Sequence, residues 1–293
     1  MKYFYYPGCS LEGSAKEYDI SVRALMGALG AELEELDDWT CCGASAADTS
    51  SYLLSMALPA RNLALAAKTG MHADFLVPCS ACYLNLMRAD DHMSHDSRTA
   101  DLVNEVLKEE ELSYKGGLRV RHLLDVLARD VGPEKIAAAT KKSLTGLSVA
   151  PYYGCQALRP YSVFDNPEQP TSMDALIRAL GADVHDWSMG AKCCGAGLMT
   201  TKEEVALNLV ADILDAAQGA DCIATVCPMC QMNLEISQKK VSKMRGKDLG
   251  ISVLYLPQLI GLGMELPADG LRLDLNLALT ESFQRLLAAG AVR

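Results

Sequence analysis

The sequence predicts an α/β protein of two pseudo-symmetric repeats, each with a small, mainly parallel sheet flanked by helices. Three features carry this reading: self-similarity at a spacing of about 150 residues, strand-length apolar runs alternating with helical periodicity, and cysteines where the runs end. Strands separated by helices pair in parallel through helical crossovers, and the loops at their carboxyl ends then gather along one sheet edge.

The two halves match at four places in the same order. Tyr5-Tyr6-Pro7-Gly8-Cys9 answers to Tyr152-Tyr153-Gly154-Cys155, and Ala28-Leu29-Gly30-Ala31 up to Trp39 answers to Ala179-Leu180-Gly181-Ala182 up to Trp187. Cys41-Cys42-Gly43-Ala44 answers to Cys193-Cys194-Gly195-Ala196, and Val77-Pro78-Cys79 through Cys82 to Leu86 answers to Val226-Cys227-Pro228 through Cys230 to Leu234. Between the copies, a Gly132-Pro133 breaker and Gly146 before a new apolar run place the boundary near residue 146, giving domains 1–146 and 147–293.

Each half opens with an apolar and aromatic run ending at Cys9 or Cys155, as a buried strand does. Residues 15–29 and 172–180 carry helical periodicity and stop at Gly30 and Gly181, where glycine suits the position after a helix end. A second strand leads toward each tryptophan. Helices are expected over 49–68 and 202–217, then strands over 73–77 and 222–226 that deliver Cys79 and Cys227. Residues 97–111, 121–129 and 276–289 read as additional helices.

A formal charge of −10 disfavours nucleic acid and anionic membrane as partners, since both are bound through basic patches. The aromatic start MKYFYYPGCS is too short for a signal core, and no run reaches the roughly 18 apolar residues of a spanning helix. A soluble, cytoplasmic protein is expected, and eleven cysteines in that setting point to metal binding or redox chemistry rather than disulfides.

Ten of the eleven cysteines fall into the repeats: Cys9, Cys41, Cys42, Cys79 and Cys82, then Cys155, Cys193, Cys194, Cys227 and Cys230. Thiolate is the soft ligand that holds iron–sulfur clusters or zinc, and a Cys-x-x-Cys turn puts two sulfurs on one centre. Five thiolates exceed the four that structural zinc takes, so the spacing supports a metal cluster without fixing its type. Gly43 and Gly195 let the backbone approach the group closely, and Cys79 and Cys227 are placed at helix N-termini, where the dipole lowers a thiol pKa.

This doubled Cys-Cys-Gly pattern, with the closing segment Tyr255-Leu256-Pro257-Gln258, resembles the B-type subunit of heterodisulfide reductases over nearly the whole chain. The resemblance implies that each five-cysteine set ligates a noncubane [4Fe-4S] cluster. It also implies that the two clusters reduce the mixed disulfide of coenzyme M and coenzyme B to two thiols, which makes the ten cysteines the catalytic positions. The implied partners are the ferredoxin-like C-type and the flavin-containing, electron-bifurcating A-type subunits of heterodisulfide reductase, with hydrogenase or formate dehydrogenase further upstream. The chain itself has no ferredoxin cysteine run and no G-x-G-x-x-G dinucleotide loop to supply electrons.

Other readings stand beside these. The pattern also resembles subunits of thiol-dependent fumarate reductases, unusual succinate dehydrogenases and sulfur-oxidising heterodisulfide-reductase-like complexes, which implies as the alternative an electron-relay role. A zinc-stabilised interaction protein would leave the fifth cysteines unexplained, and a thioredoxin-like exchanger at Cys79 and Cys82 would leave eight. Cys222 reads as a small core residue, and His72, His92, His95, His122 and His185 as surface or core residues. Arg159 and Lys192 are candidates for the anionic groups of a substrate, against ordinary solvated charge. Tyr5, Tyr6, Tyr152 and Tyr153 pack or line the site, and Asn85 and Asn233 shape the turns after Cys-x-x-Cys.

Overall fold

β1 (Lys2–Tyr5) is apolar on both faces, with Tyr3, Phe4 and Tyr5 all buried, so it sits inside a sheet rather than at its edge. In the computed structural model, which describes residues 1–44 and 46–288, it pairs in parallel with β2 (Glu32–Glu35) on one side and β3 (Asp74–Val77) on the other. β4 (Val120–His122) completes the order β2-β1-β3-β4. β2 is the charged edge, where Glu32 and Glu34 face outward and Glu34 pairs with Lys2 at 2.7 Å, as suits a strand that must not recruit another chain.

The second half repeats this topology. β5 (Ser148–Tyr152), β6 (Asp183–Val184), β7 (Cys222–Thr225) and β8 (Ser252–Tyr255) form an all-parallel sheet in the order β6-β5-β7-β8. The α/β class with two pseudo-repeats is therefore as the sequence predicts.

Several elements differ in detail. The opening strands stop at Tyr5 and Tyr152, so Cys9 lies in the one-turn helix Gly8–Glu12 and Cys155 in a turn. The run 49–68 is broken before the helix Tyr52–Lys68, where the Ser51 hydroxyl accepts from the Leu54 amide as an N-cap. Residues 121–129 are not one helix: Arg121 and His122 belong to β4, and the helix Leu123–Val126 follows. A three-residue strand holding Arg and His has no apolar signature, which is why it reads as something else. The last helix is Glu281–Ala288, and Ala289 of the expected 276–289 lies outside the described residues.

The halves are tied together closely. The helix Leu256–Gly263, from the second half, packs on the helix Lys16–Ala28 of the first. Lys141 and Lys142 donate their amides to the Gly263 carbonyl at 2.9 Å, and one apolar cluster draws on Phe4 and Phe75 together with Leu176 and Leu254.

β4 survives in the interior because Arg121, 2% exposed, is surrounded by carboxylates. Its guanidinium pairs with Asp125, with Asp74 at 3.0 Å and with Asp130 at 3.0 Å. Arg121→Met should lower the unfolding free energy by about 3 kcal/mol, because the buried Asp125 keeps only the more distant Arg129, at 3.5 Å. Denaturant titration checks this, and a loss under about 1 kcal/mol would mean that water replaces the pair.

Glu235, on the helix Pro228–Arg245, accepts the amides of Leu277 and Ala278 and so anchors the C-terminal segment. Burial pushes its carboxyl up from 4.5 to about 7, outweighing those amides. The folded state therefore keeps a proton that the unfolded chain releases near pH 4.5, so stability falls as pH rises from about 4.5 to about 7 and stays reduced above that. Glu235→Gln should flatten this slope, and melting curves between pH 4.5 and 8 test it: an unchanged slope would show that the carboxylate is already solvated.

Candidate metal centre

The cysteines occupy the carboxyl-end edge of each sheet, the position where open parallel sheets place ligands. Cys9 follows β1, the Cys41-Cys42 pair follows β2, and Cys79 follows β3 as the N-cap of the helix Ser80–His95, which carries Cys82. In the second half Cys155 follows β5, Cys193-Cys194 follows β6, and Cys227 follows β7 as the N-cap of the helix bearing Cys230.

Each set runs from exposed sulfurs to buried ones. Cys9, Cys41 and Cys193 are exposed and Cys155 is half-buried, whereas Cys42, Cys79, Cys82, Cys194, Cys227 and Cys230 are buried. Cys9 and Cys41 sulfurs stand 3.6 Å apart, Cys42 and Cys82 3.3 Å apart, and Cys194 and Cys230 3.5 Å apart. The two deep ends meet across the junction of the halves: the Tyr18 hydroxyl lies 3.1 Å from the carbonyls of both Pro78 and Val226, the residues before Cys79 and Cys227.

Local structure explains the convergence. Tyr6 donates its hydroxyl to the Thr40 carbonyl at 2.7 Å, and Tyr152 to the Lys192 carbonyl at 2.8 Å, so each fixes the residue before a Cys-Cys pair. Asn85 donates to the Cys42 carbonyl at 3.0 Å and Asn233 to the Cys194 carbonyl at 2.7 Å. The amides of Gly43 and Gly195 point at the sulfurs of Cys41 and Cys193, at 3.5 and 3.3 Å. The asparagines thus hold the Cys-Cys loops rather than only shaping their own turns, and their equal positions in the two repeats are the sequence signal for it.

These contacts set the thiol chemistry. Cys193 is pulled down to about 6, first by its hydrogen bond with Cys155 and then by the Gly195 amide. Cys42 is pushed up to about 12, chiefly by Cys41. At the junction Cys227 is lowered by hydrogen bonds from Cys230 and Cys79, while its partner Cys79 is raised because it donates to Cys227. A lowered pKa at both helix N-termini is therefore half right: mutual hydrogen bonding outweighs the dipole at Cys79.

Arg159 spends its guanidinium on the Pro167 carbonyl at 2.9 Å, on Glu168 at 3.1 Å and on the Ala191 carbonyl, clasping two loops together beside Cys193. Lys192 is exposed next to Cys193. Cys222 is fully buried in β7, among core residues. His122 is also buried; His92 and His95 lie beside Asp96 and Asp91, His185 faces the Ala216 carbonyl, and His72 is exposed.

The converging donors are all sulfur, a soft ligand set that suits a sulfur-bound metal group. The backbone also makes room beside the sulfurs: a Cβ on Gly8, at φ +73°, would lie 2.9 Å from the Cys82 sulfur, and one on Gly154, at φ +69°, 3.1 Å from that of Cys230.

Residues 3–87 and 149–235 each match the profile of the cysteine-rich domain with the Cys-Cys-Gly signature. The chain belongs to this family, alongside the B-type subunits of heterodisulfide reductases. A protein of Archaeoglobus profundus described as like that B-type subunit is 32% identical over 90% of the chain and 91% of its own length. The B-type subunit of the ferredoxin:CoB-CoM heterodisulfide reductase of Methanosarcina mazei is 29% identical, covering 92% and 91%. The 8-methylmenaquinol:fumarate reductase membrane anchor subunit of Wolinella succinogenes is 37% identical, covering 94% and 96%. A crystal structure of a hypothetical protein from Helicobacter pylori shares the fold at a TM-score of 0.77 and 18% identity; it covers 95% of this chain, which spans 52% of that one.

The Cys-Cys-Gly domain indicates iron–sulfur binding, and the chain is an oxidoreductase subunit of the heterodisulfide reductase type. Gly8→Ala should destabilise the fold by about 1–3 kcal/mol, from the left-handed backbone and the crowding of Cys82. In anaerobically purified protein it should also lower the iron bound, with the second-half signal retained; full iron content would show that the loop relaxes freely.

Proposed function

We propose that the chain is the catalytic subunit of a disulfide reductase, with Cys9, Cys41, Cys42, Cys79 and Cys82 holding one noncubane [4Fe-4S] cluster and Cys155, Cys193, Cys194, Cys227 and Cys230 a second. Its substrate is the heterodisulfide of coenzyme M and coenzyme B or a related disulfide. The observation that carries this reading is the meeting of two complete five-cysteine sets at Cys79 and Cys227. The domain division at residue 146 goes with it, one cluster to each part.

Reducing a disulfide to two thiols takes two electrons and two protons. Iron–sulfur clusters, when bound, supply electrons singly, so two adjacent sites match the requirement. The chain's own residues hold the sulfurs, exclude water from the six deep ones and leave Cys9, Cys41 and Cys193 at the surface. Lys192, exposed beside Cys193, is placed for an anionic end of the substrate, and Arg159 keeps the neighbouring loops in position. Electrons come from the ferredoxin-like C-type and flavin-containing A-type subunits in this reading, with hydrogenase or formate dehydrogenase upstream; the Methanosarcina mazei relative's name, which includes ferredoxin, supports such a supply.

The 37% identity to a methylmenaquinol:fumarate reductase subunit favours a second reading, in which the same clusters relay electrons within a quinol- or fumarate-linked complex. No described helix is long and apolar enough to cross a membrane, so membrane attachment in that reading falls to a partner or to a surface contact. Anaerobically purified protein should contain about eight iron and eight sulfide per chain, with a paramagnetic signal that changes when coenzyme M thiol is added. The same iron with no response to thiol, and oxidation by fumarate through the partner complex, would favour the relay. Zinc without sulfide would overturn both.

A further inference from the structure

Where the two cysteine sets meet, three polar side chains are buried. Tyr18 lies on the helix Lys16–Ala28, Ser80 directly after Cys79, and His122 at the end of β4; none is more than 2% exposed. Groups of this kind keep their place in an interior only by being hydrogen-bonded. Their partners here are the carbonyls of Pro78 and Val226, the residues immediately before Cys79 and Cys227.

The Tyr18 hydroxyl lies 3.1 Å from both carbonyls at once, one in each half of the chain. It has a single proton, so it cannot serve both fully. The Ser80 hydroxyl lies 3.5 Å from the Val226 carbonyl and 3.2 Å from Nε2 of His122. The Leu124 amide donates to Nδ1 of His122 at 3.1 Å, and an amide can only donate, which assigns the ring proton to Nε2. His122 Nε2–H then donates to Ser80, whose hydroxyl turns toward the Val226 carbonyl, while the Tyr18 proton is shared between the Pro78 and Val226 carbonyls. Two acceptors receive two protons.

Packing fixes the donors in turn. Tyr18 stacks face to face on Tyr255, at the end of β8, with ring centroids 4.0 Å apart and planes 2° from parallel. His122 stacks on Phe164 at 6.1 Å and 8°, again from the other half. Both aromatic pairs and two of the hydrogen bonds thus cross from one repeat to the other.

We infer that Tyr18, with Ser80 and His122, forms a positioning clamp that sets the separation and orientation of the two cysteine sites, through the carbonyls of the residues preceding Cys79 and Cys227. The clamp acts through the backbone, by holding the two strand ends in register. Adjacent clusters exchange electrons according to their separation, so a loosened clamp impairs their joint action while each five-cysteine set remains complete. The inference rests on the two-cluster reading above for its functional consequence, but the clamp itself is a property of the chain.

The test compares Tyr18→Phe and Ser80→Ala with Tyr3→Phe, a control that loses a partly buried hydroxyl bonded to Asp130 at 2.7 Å. In cluster-free full-length chain, mild oxidation with diamide should join Cys79 to Cys227, and peptide mapping should find the rate lowered by about five-fold in the two junction variants and unchanged in the control. In cluster-loaded protein the junction variants should keep the parental iron and sulfide but show an altered magnetic interaction between the clusters, which a purely structural loss would not move. If both junction variants match Tyr3→Phe in the cross-linking rate, the clamp is overturned. Protein that binds fewer than two clusters would overturn the functional reading alone, because the cross-linking comparison still decides the clamp. Ser80→Ala serves where Tyr18→Phe fails to fold.

Discussion

The nearness of the two strand ends that carry Cys79 and Cys227, whose preceding carbonyls both lie 3.1 Å from the Tyr18 hydroxyl, is the constraint from which the rest of the molecule follows. Two parallel strands from different sheets, β3 and β7, must end within reach of each other, and each must turn at once into a helix carrying a second cysteine. That requirement explains why the halves are not independent beads on a linker. The helix Leu256–Gly263 crosses onto Lys16–Ala28, and the apolar cluster passes through both sheets. A junction of this kind tolerates little slack, because packed interiors do not deform continuously.

The scaffold is repeated, yet its rims are not. The cleft beside Trp39 and Cys41, of about 490 Å³, is lined by Glu12, Glu35, Asp37 and Asp38. Its counterpart beside Trp187, of about 900 Å³, mixes Arg178, His185 and Lys192 with Glu168, Asp174 and Asp186. The first rim is thus acidic and the second mixes both signs, although the repeats that carry them are alike.

The cysteine pattern was legible in the sequence because the same residues recur in both repeats, and the four-place match pointed to the two-repeat fold without reliance on hydropathy alone. The helices 15–29 and 172–180 were found within a residue at each end, since their apolar stripes and glycine stops are local signals. β4 and β8 were not. β4 owes its place to Arg121 and its carboxylates, which lie at 74, 125 and 130 in the chain and meet only in the folded state. The roles of Asn85, Asn233, Tyr6 and Tyr152 were half legible: the repeat marked them, but only the geometry shows that each holds the loop of a Cys-Cys pair.

The junction residues show why symmetry in the sequence does not extend to the point where the halves touch. β4 and β8 are equivalent strands, yet one ends in His122 and the other in Tyr255. His122 bonds toward the Val226 side through Ser80, whereas Tyr255 carries no bond to either carbonyl and serves as the face on which Tyr18 stacks. The hydroxyl that reaches both carbonyls comes from one half only. The first half supplies Tyr18, at the start of a helix whose second-half counterpart, Ser172–Ala179, begins later and leaves Gln169 in a loop at the matching position. Duplication supplied two cysteine sets; holding them against each other required residues that the two copies do not share.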